Sequence, residues 1–106
     1  MLRVGIRHVH AEKVDELRNW LRTVNGPRRA EALVTLIDET CSHEQAFLIE
    51  GKDGPVVVYV MEVADVEQSR RAAELSSHPI DADHRQVMQR TVGDAVSSEV
   101  LLDLHP

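Results

Sequence analysis

Apolar and polar positions alternate from Leu2 to Val9, with Leu2, Val4, Ile6 and His8 on one face and Arg3, Gly5, Arg7 and Val9 on the other. That period of two predicts a strand with the Leu2–Val4–Ile6 face turned to the core. The period then lengthens: Val14, Leu17, Trp20, Leu21 and Val24 recur at helical spacing among charged residues. Asn25-Gly26-Pro27 interrupts this helix, and Ala30, Leu33, Leu36, Ile37 and Cys41 carry a second amphipathic segment. His43 to Glu50 alternates again as a second strand, and Gly51-Lys52-Asp53-Gly54 is a hairpin connection. The run Val56 to Val63 is apolar on both alternating faces until Glu62, so this third strand needs cover on both sides. Asp65 with Gln68 three residues on makes a helix start for Val66 to about Ser76. His78-Pro79 breaks that helix, and Asp81 is the expected cap of a last helix through Val87, Met88, Thr91 and Val92. A final strand is expected from Ala95 to Leu104.

The order β-α-β-β-α-β predicts a single α+β domain over residues 1–106, a ferredoxin-like sandwich. Its four-stranded antiparallel sheet should have the order 4-1-3-2 with the helices on one face. If Gly5 lies opposite Leu101, Arg7 faces Glu99 and Arg3 faces Asp103 on the non-helical face. The helices cover one face only. A second copy is the natural cover for the other, since Tyr59, Met61, Leu48 and Leu101 would otherwise leave it exposed.

Twelve Lys and Arg against eighteen Asp and Glu give a net charge of −6, which argues against nucleic-acid and anionic-membrane surfaces. No apolar run reaches the roughly 20 residues of a membrane span. The N-terminus reads as a strand rather than a signal peptide, and Cys41 is the only cysteine. Both point to a reducing cytoplasm and to no intramolecular disulfide. Cys41 itself reads as a small helix-end residue.

The topology with its apolar third strand resembles the dimeric α+β-barrel superfamily. Its members include cofactor-free monooxygenases, polyketide cyclases, sugar mutarotases and stress-response barrels. The resemblance implies two sheets packed face to face in a homodimer, with a pocket between sheet and helices in each subunit. The segments His43-Glu44-Gln45-Ala46-Phe47-Leu48, Tyr59-Val60-Met61-Glu62 and Ser77 to Arg85 are more closely similar to an uncharacterised bacterial domain-of-unknown-function family of about this length. No haem or flavin signature accompanies either resemblance, so no cofactor is expected.

Six histidines draw attention by placement. His84 shares the apolar face of the last helix with Val87 and Met88, where it is either a satisfied core residue or an acid/base. Glu62 ends the apolar strand and is the expected orienter of His84, or else a carboxylate facing water before Asp65. Tyr59 needs a partner for its hydroxyl, and His78 sits at the helix break. These four are the catalytic candidates. Arg7, Met61 and Glu99 are candidates, with Tyr59, to line a cavity on the open face, with His43 at a strand end, although a plain cross-strand Arg7–Glu99 pair is the simpler reading. Trp20 reads as core at its helical spacing and is otherwise an aromatic ligand contact. His43, Glu44, His78 and His84 are metal-ligand types, but none falls in a tight ligand motif and no metal is expected. Two functions follow: a cofactor-free enzyme of cyclase, isomerase or monooxygenase type on a small, partly apolar molecule, or a non-catalytic binding or stress-response barrel.

Overall fold

A computed structural model covers residues 1–106. Strand β1 (Leu2–Val9) leads through a short 3-10 turn at Ala11–Lys13 into helix α1 (Val14–Asn25). Helix α2 (Arg29–Asp38) follows the break at Gly26, whose N–H bonds back to the Thr23 carbonyl. Strands β2 (Cys41–Gly51) and β3 (Gly54–Val63) form a hairpin, then come helices α3 (Val66–Leu75) and α4 (Pro79–Thr91) and strand β4 (Val92–Ala95). The four strands make one antiparallel sheet in the order β2-β3-β1-β4, the ferredoxin-like order expected. No helix is long and apolar enough to cross a membrane.

Local chemistry explains several boundaries. Asp65 accepts a hydrogen bond from the Gln68 N–H at 3.0 Å, satisfying one of the free donors at the start of α3. Helix α4 begins at Pro79, two residues before Asp81, because proline at the first helical position loses no hydrogen bond. Asp81 instead lies in the first turn and accepts from the Ser76 hydroxyl. Gly54 has φ of 101°, the left-handed residue that lets the Lys52-Asp53 turn close against the twist of the hairpin. Cys41 opens β2 and is buried there, rather than ending a helix.

The register decides which face meets the helices. Arg3 is opposite Met61, Gly5 opposite Tyr59 and Arg7 opposite Val57, while Ala46 and Leu48 extend the last two rows across β2. This face carries Val57, Val63 and Val9, which are 0%, 1% and 5% exposed, and Val57 and Val9 pack against Val14 and Leu17 of α1. The other face carries the rows Ile6–Val58–Phe47 and Val4–Val60–Gln45, with Leu2, Val56 and Ile49 around them. It is open to solvent: Leu2, Val4, Phe47 and Ile49 are each about half exposed or more. The expected facing of the sheet is therefore inverted. Leu2, Val4 and Ile6 lie on the open face, and Arg7, Tyr59, Met61 and Leu48 on the helical one. Val57 fills the centre of the helical face under α1, with Val9 packed beside it.

The last strand is also shorter than the pattern predicts. Arg7 pairs with Ala95, not Glu99, and the Val96 N–H bonds to the Ile6 carbonyl at 2.8 Å. Beyond that bond the chain leaves the sheet, so Glu99, Leu101 and Asp103 face no strand. Alternation along 96–104 encodes an extended conformation, but pairing needs a neighbour as well.

Candidate functional site

On the helical face, three elements bring His84, Trp20 and Tyr59 together. Helix α4 carries His84 and, one turn on, Met88; α1 carries Trp20; β3 carries Tyr59. The indole Nε1–H of Trp20 donates to His84 Nδ1 at 2.9 Å, with the rings 6.2 Å apart. Tyr59 meets the imidazole edge-on at 6.1 Å, and its hydroxyl donates to the Met88 thioether at 3.6 Å. A thioether is a weak acceptor, so most of the hydroxyl's capacity is unspent. The Arg28 guanidinium lies 5.6 Å over the Trp20 ring, pinned by Asp83 at 2.6 Å and by Glu31 at 2.9 and 3.0 Å.

This hydrogen bond sets the chemistry of the imidazole. Nδ1 accepts from the indole, so in the neutral ring the proton must reside on Nε2. Nε2 makes no hydrogen bond within the chain, yet no buried side-chain nitrogen is unsatisfied, so Nε2 reaches solvent. Burial lowers the His84 pKa; Asp81 opposes the shift and Arg85 adds to it. Burial likewise raises the Tyr59 pKa, with Glu44 adding to it. Near pH 7 both groups are therefore neutral donors.

The His84 shift makes a prediction about stability. A folded pKa below the unfolded 6.5 means the unfolded chain takes up the proton first as pH falls. The stabilising contribution is complete above 6.5 and is lost as pH falls through the folded value. Imidazole titration by NMR should find the His84 midpoint below the ordinary histidine value, and Trp20→Phe should raise that midpoint by freeing Nδ1.

A cavity of about 210 Å³ opens beside Tyr59, lined by Arg3, Val4, Gly5, Tyr59 and Met61. A methyl group built on Gly5 would meet nothing within 4 Å, so the space above this residue is empty. Arg3 donates from Nη1 to the buried Ser69 hydroxyl at 2.8 Å. Two carboxyls share its surroundings. Burial pushes Glu44 up, aided by Asp81, and pushes Glu39 up to about 7, aided by Glu44, Asp81 and Asp38 against the pull of Arg3. A carboxyl raised from 4.5 to about 7 favours the fold below 4.5, and that contribution is lost as pH rises through 7. Glu39→Gln should therefore gain on the wild type between pH 4.5 and 8 in urea unfolding. Equal pH profiles for the two proteins would contradict the shift.

The other candidates are elsewhere. Glu62 lies on the open face, opposite His43 and 2.8 Å from the Met1 ammonium, so it does not orient His84. Strand parity carries this signal, since Tyr59, Met61 and Val63 share a face that Glu62 cannot. His78 contacts Asp38 at 2.8 Å in an exposed cleft of about 310 Å³ with Gln68, Ala72, Leu75, Ser76 and Ser77. Arg7 donates from Nε and Nη2 to the Gly93 carbonyl at 3.0 and 2.6 Å, which replaces the expected pair with Glu99. Met61 does line the cavity with Tyr59, though on the helical face. No three His, Cys, Asp or Glu side chains come together as a metal site would need. Sequence reasoning missed Arg28 and Glu39, and it took Arg3 only as a cross-strand partner of Asp103 and Glu44 only as a metal-ligand type. Met88, four residues after His84 on one helical face, was the legible clue to the Tyr59 partner.

The sequence matches a family of unknown function (DUF6176) over residues 3–106. No curated protein and no solved structure matches the chain.

Proposed function

We propose, from the premise that the chain belongs to the DUF6176 family of unknown function, that it is a small-molecule-binding protein working as a homodimer. The ligand would be small and partly apolar and would carry a hydrogen-bond acceptor such as a carbonyl oxygen. The observation that carries this reading is the locked imidazole: Trp20 holds Nδ1, so the Nε2–H of His84 is left free to donate, and the ring meets Tyr59, whose hydroxyl is under-used, edge-on at 6.1 Å. Apolar walls with a few oriented donors are what such sites need. The cavity that Tyr59 shares with Arg3 and Met61, which His84 does not line, is about 210 Å³, smaller than the roughly 300 Å³ at which ordinary ligand pockets begin, which favours a compact ligand. The homodimer rests on the open sheet face, where Leu2, Val4, Phe47 and Ile49 would otherwise meet water. An NMR screen with small aromatic ketones and aldehydes tests the site. Binding probes should shift the Trp20 indole and His84 signals, and His84→Ala and Tyr59→Phe should each weaken them about tenfold, one charge-free hydrogen bond's worth. Probes that bind without moving either signal would overturn the assignment.

A second reading is acid/base catalysis of the cyclase, isomerase or monooxygenase type. It is favoured by the adjacency of two groups, His84 and Tyr59, whose ionisation is shifted in opposite senses. His84 would then act first as a donor, because its Nδ1 is already engaged. Turnover that survives His84→Gln unchanged would remove this reading and leave the binding module.

A further inference from the structure

The segment after β4 is the least explained part of the chain. It is extended, and beyond the Val96 bond to Ile6 it makes no hydrogen bond to the rest of the chain. Its one ion pair, His105 with Asp103 at 3.0 Å, is internal. Yet Val100, Leu101, Leu102 and Leu104 are 75–84% exposed, more than any large apolar side chain on the open sheet face. Four large apolar groups in eight residues are costly in water at roughly 1.5–3 kcal/mol each if buried elsewhere. Ser98, Val100, Leu102 and Leu104 share one face of the extended segment, and Ser97, Glu99, Leu101 and Asp103 share the other, so the segment is an amphipathic strand without a sheet.

We infer that this segment, Ser97–Leu104, pairs with the outer edge of β2 in a second copy of the chain, so that two exchanged tails close a dimer of face-to-face sheets. The inference rests on the homodimer reading above and adds what holds it shut. Three observations favour a second copy as the occupant. The first is length. Eight residues span about 26 Å, and the vacant stretch of β1 beyond Ile6 offers only about half of that, whereas β2 has eleven residues and no strand on its outer side. A long unpaired edge of this kind is itself a hazard that natural sheets cover or blunt.

The second is symmetry. If the open faces meet about a two-fold axis running along the strands, the β4 edge of each copy lies over the β2 edge of the other. A tail leaving β4 then crosses only the ~10 Å between packed sheets to reach its seat. Its apolar face turns inward beside Phe47 and Ile49, and Glu99 and Asp103 turn out. The third is area. A four-stranded face about 19 Å wide and 26 Å long covers roughly 500 Å² per copy. A standard interface needs about 800 Å² per partner, and the tail supplies the difference.

The test uses the 106-residue chain and a variant of the same length, Leu102→Asp with Leu104→Asp, whose changes touch nothing in the folded body. Light scattering reads the oligomeric state, and residue-resolved hydrogen exchange reads the β2 amides that point away from β3. The wild type should be a dimer with those amides protected. In the variant their protection should fall about 100-fold, with an unchanged circular dichroism spectrum and a weaker dimer. A wild-type dimer whose outward β2 amides exchange freely, or whose protection survives in the variant, would overturn the tail exchange and leave the homodimer standing. A wild-type monomer at high micromolar concentration would overturn both.

Discussion

Val57→Asp is expected to abolish folding, while Val58→Asp, one residue further along the same strand, folds and remains monomeric. Val57 is fully buried among Val9, Val14, Leu17 and Val92. An aspartate there loses about 2 kcal/mol of valine burial and adds several more for a carboxylate with no partner. That exceeds much of the ~5–15 kcal/mol available to a domain of this size. Val58 sits between Ile6 and Phe47 on the open face and is only partly covered by its own chain. A charge there meets water in the monomer and is buried only if a second sheet docks. Circular dichroism and light scattering on the two variants read both outcomes. Equal loss of fold in both would mean that the two faces are equally buried.

Leu17→Ala is expected to cost about 3 kcal/mol, within the usual range for a leucine in a filled core. Leu17 is 1% exposed, the largest of the fully buried side chains, and it joins α1 to the sheet through Val57 and Val9. The effect should be large relative to the total because the core is small. Only 12 of 106 residues are buried, so few neighbours can close over the hole. At roughly 4–8 °C per kcal/mol, thermal unfolding should shift down by more than 10 °C. A shift below 3 °C would mean that α1 is not anchored through this residue.

Element order was legible because each transition in the chain changes period or carries a specific local bond. The Asp65–Gln68 cap, the Gly54 turn and the sheet order all follow from short-range chemistry or from the split βαβ rule. Facing was less legible. When both faces of a strand are apolar, as in β3, alternation identifies two sets without saying which meets the helices. Leu2, Val4 and Ile6 looked like a core because they are the apolar half of β1. The opposite half won because Val9 and Val57 fit under α1. The site followed the same division. The inward facing of His84 was readable from its spacing to Met88, whereas the Trp20 N–H bond depends on how α1 crosses α4, which no local pattern encodes.

The turn at Gly54 also sets an order in time. The β2–β3 hairpin closes over a few residues, but β1 can bond to β3 only after about half the chain has been brought round, since Leu2 meets Glu62 and His8 meets Val56. Local pairing of this kind forms in about 1–10 μs, and long loops are closed later and at greater entropic cost. The hairpin is therefore the natural early structure, β1 joins it later, and β4, which meets β1 from the far end of the chain, is the last to pair. A Gly54→Ala change, strained at its φ of 101°, should slow refolding. A Val9→Ala change should mainly hasten unfolding, so that the two mutations act on opposite arms of the same kinetic plot.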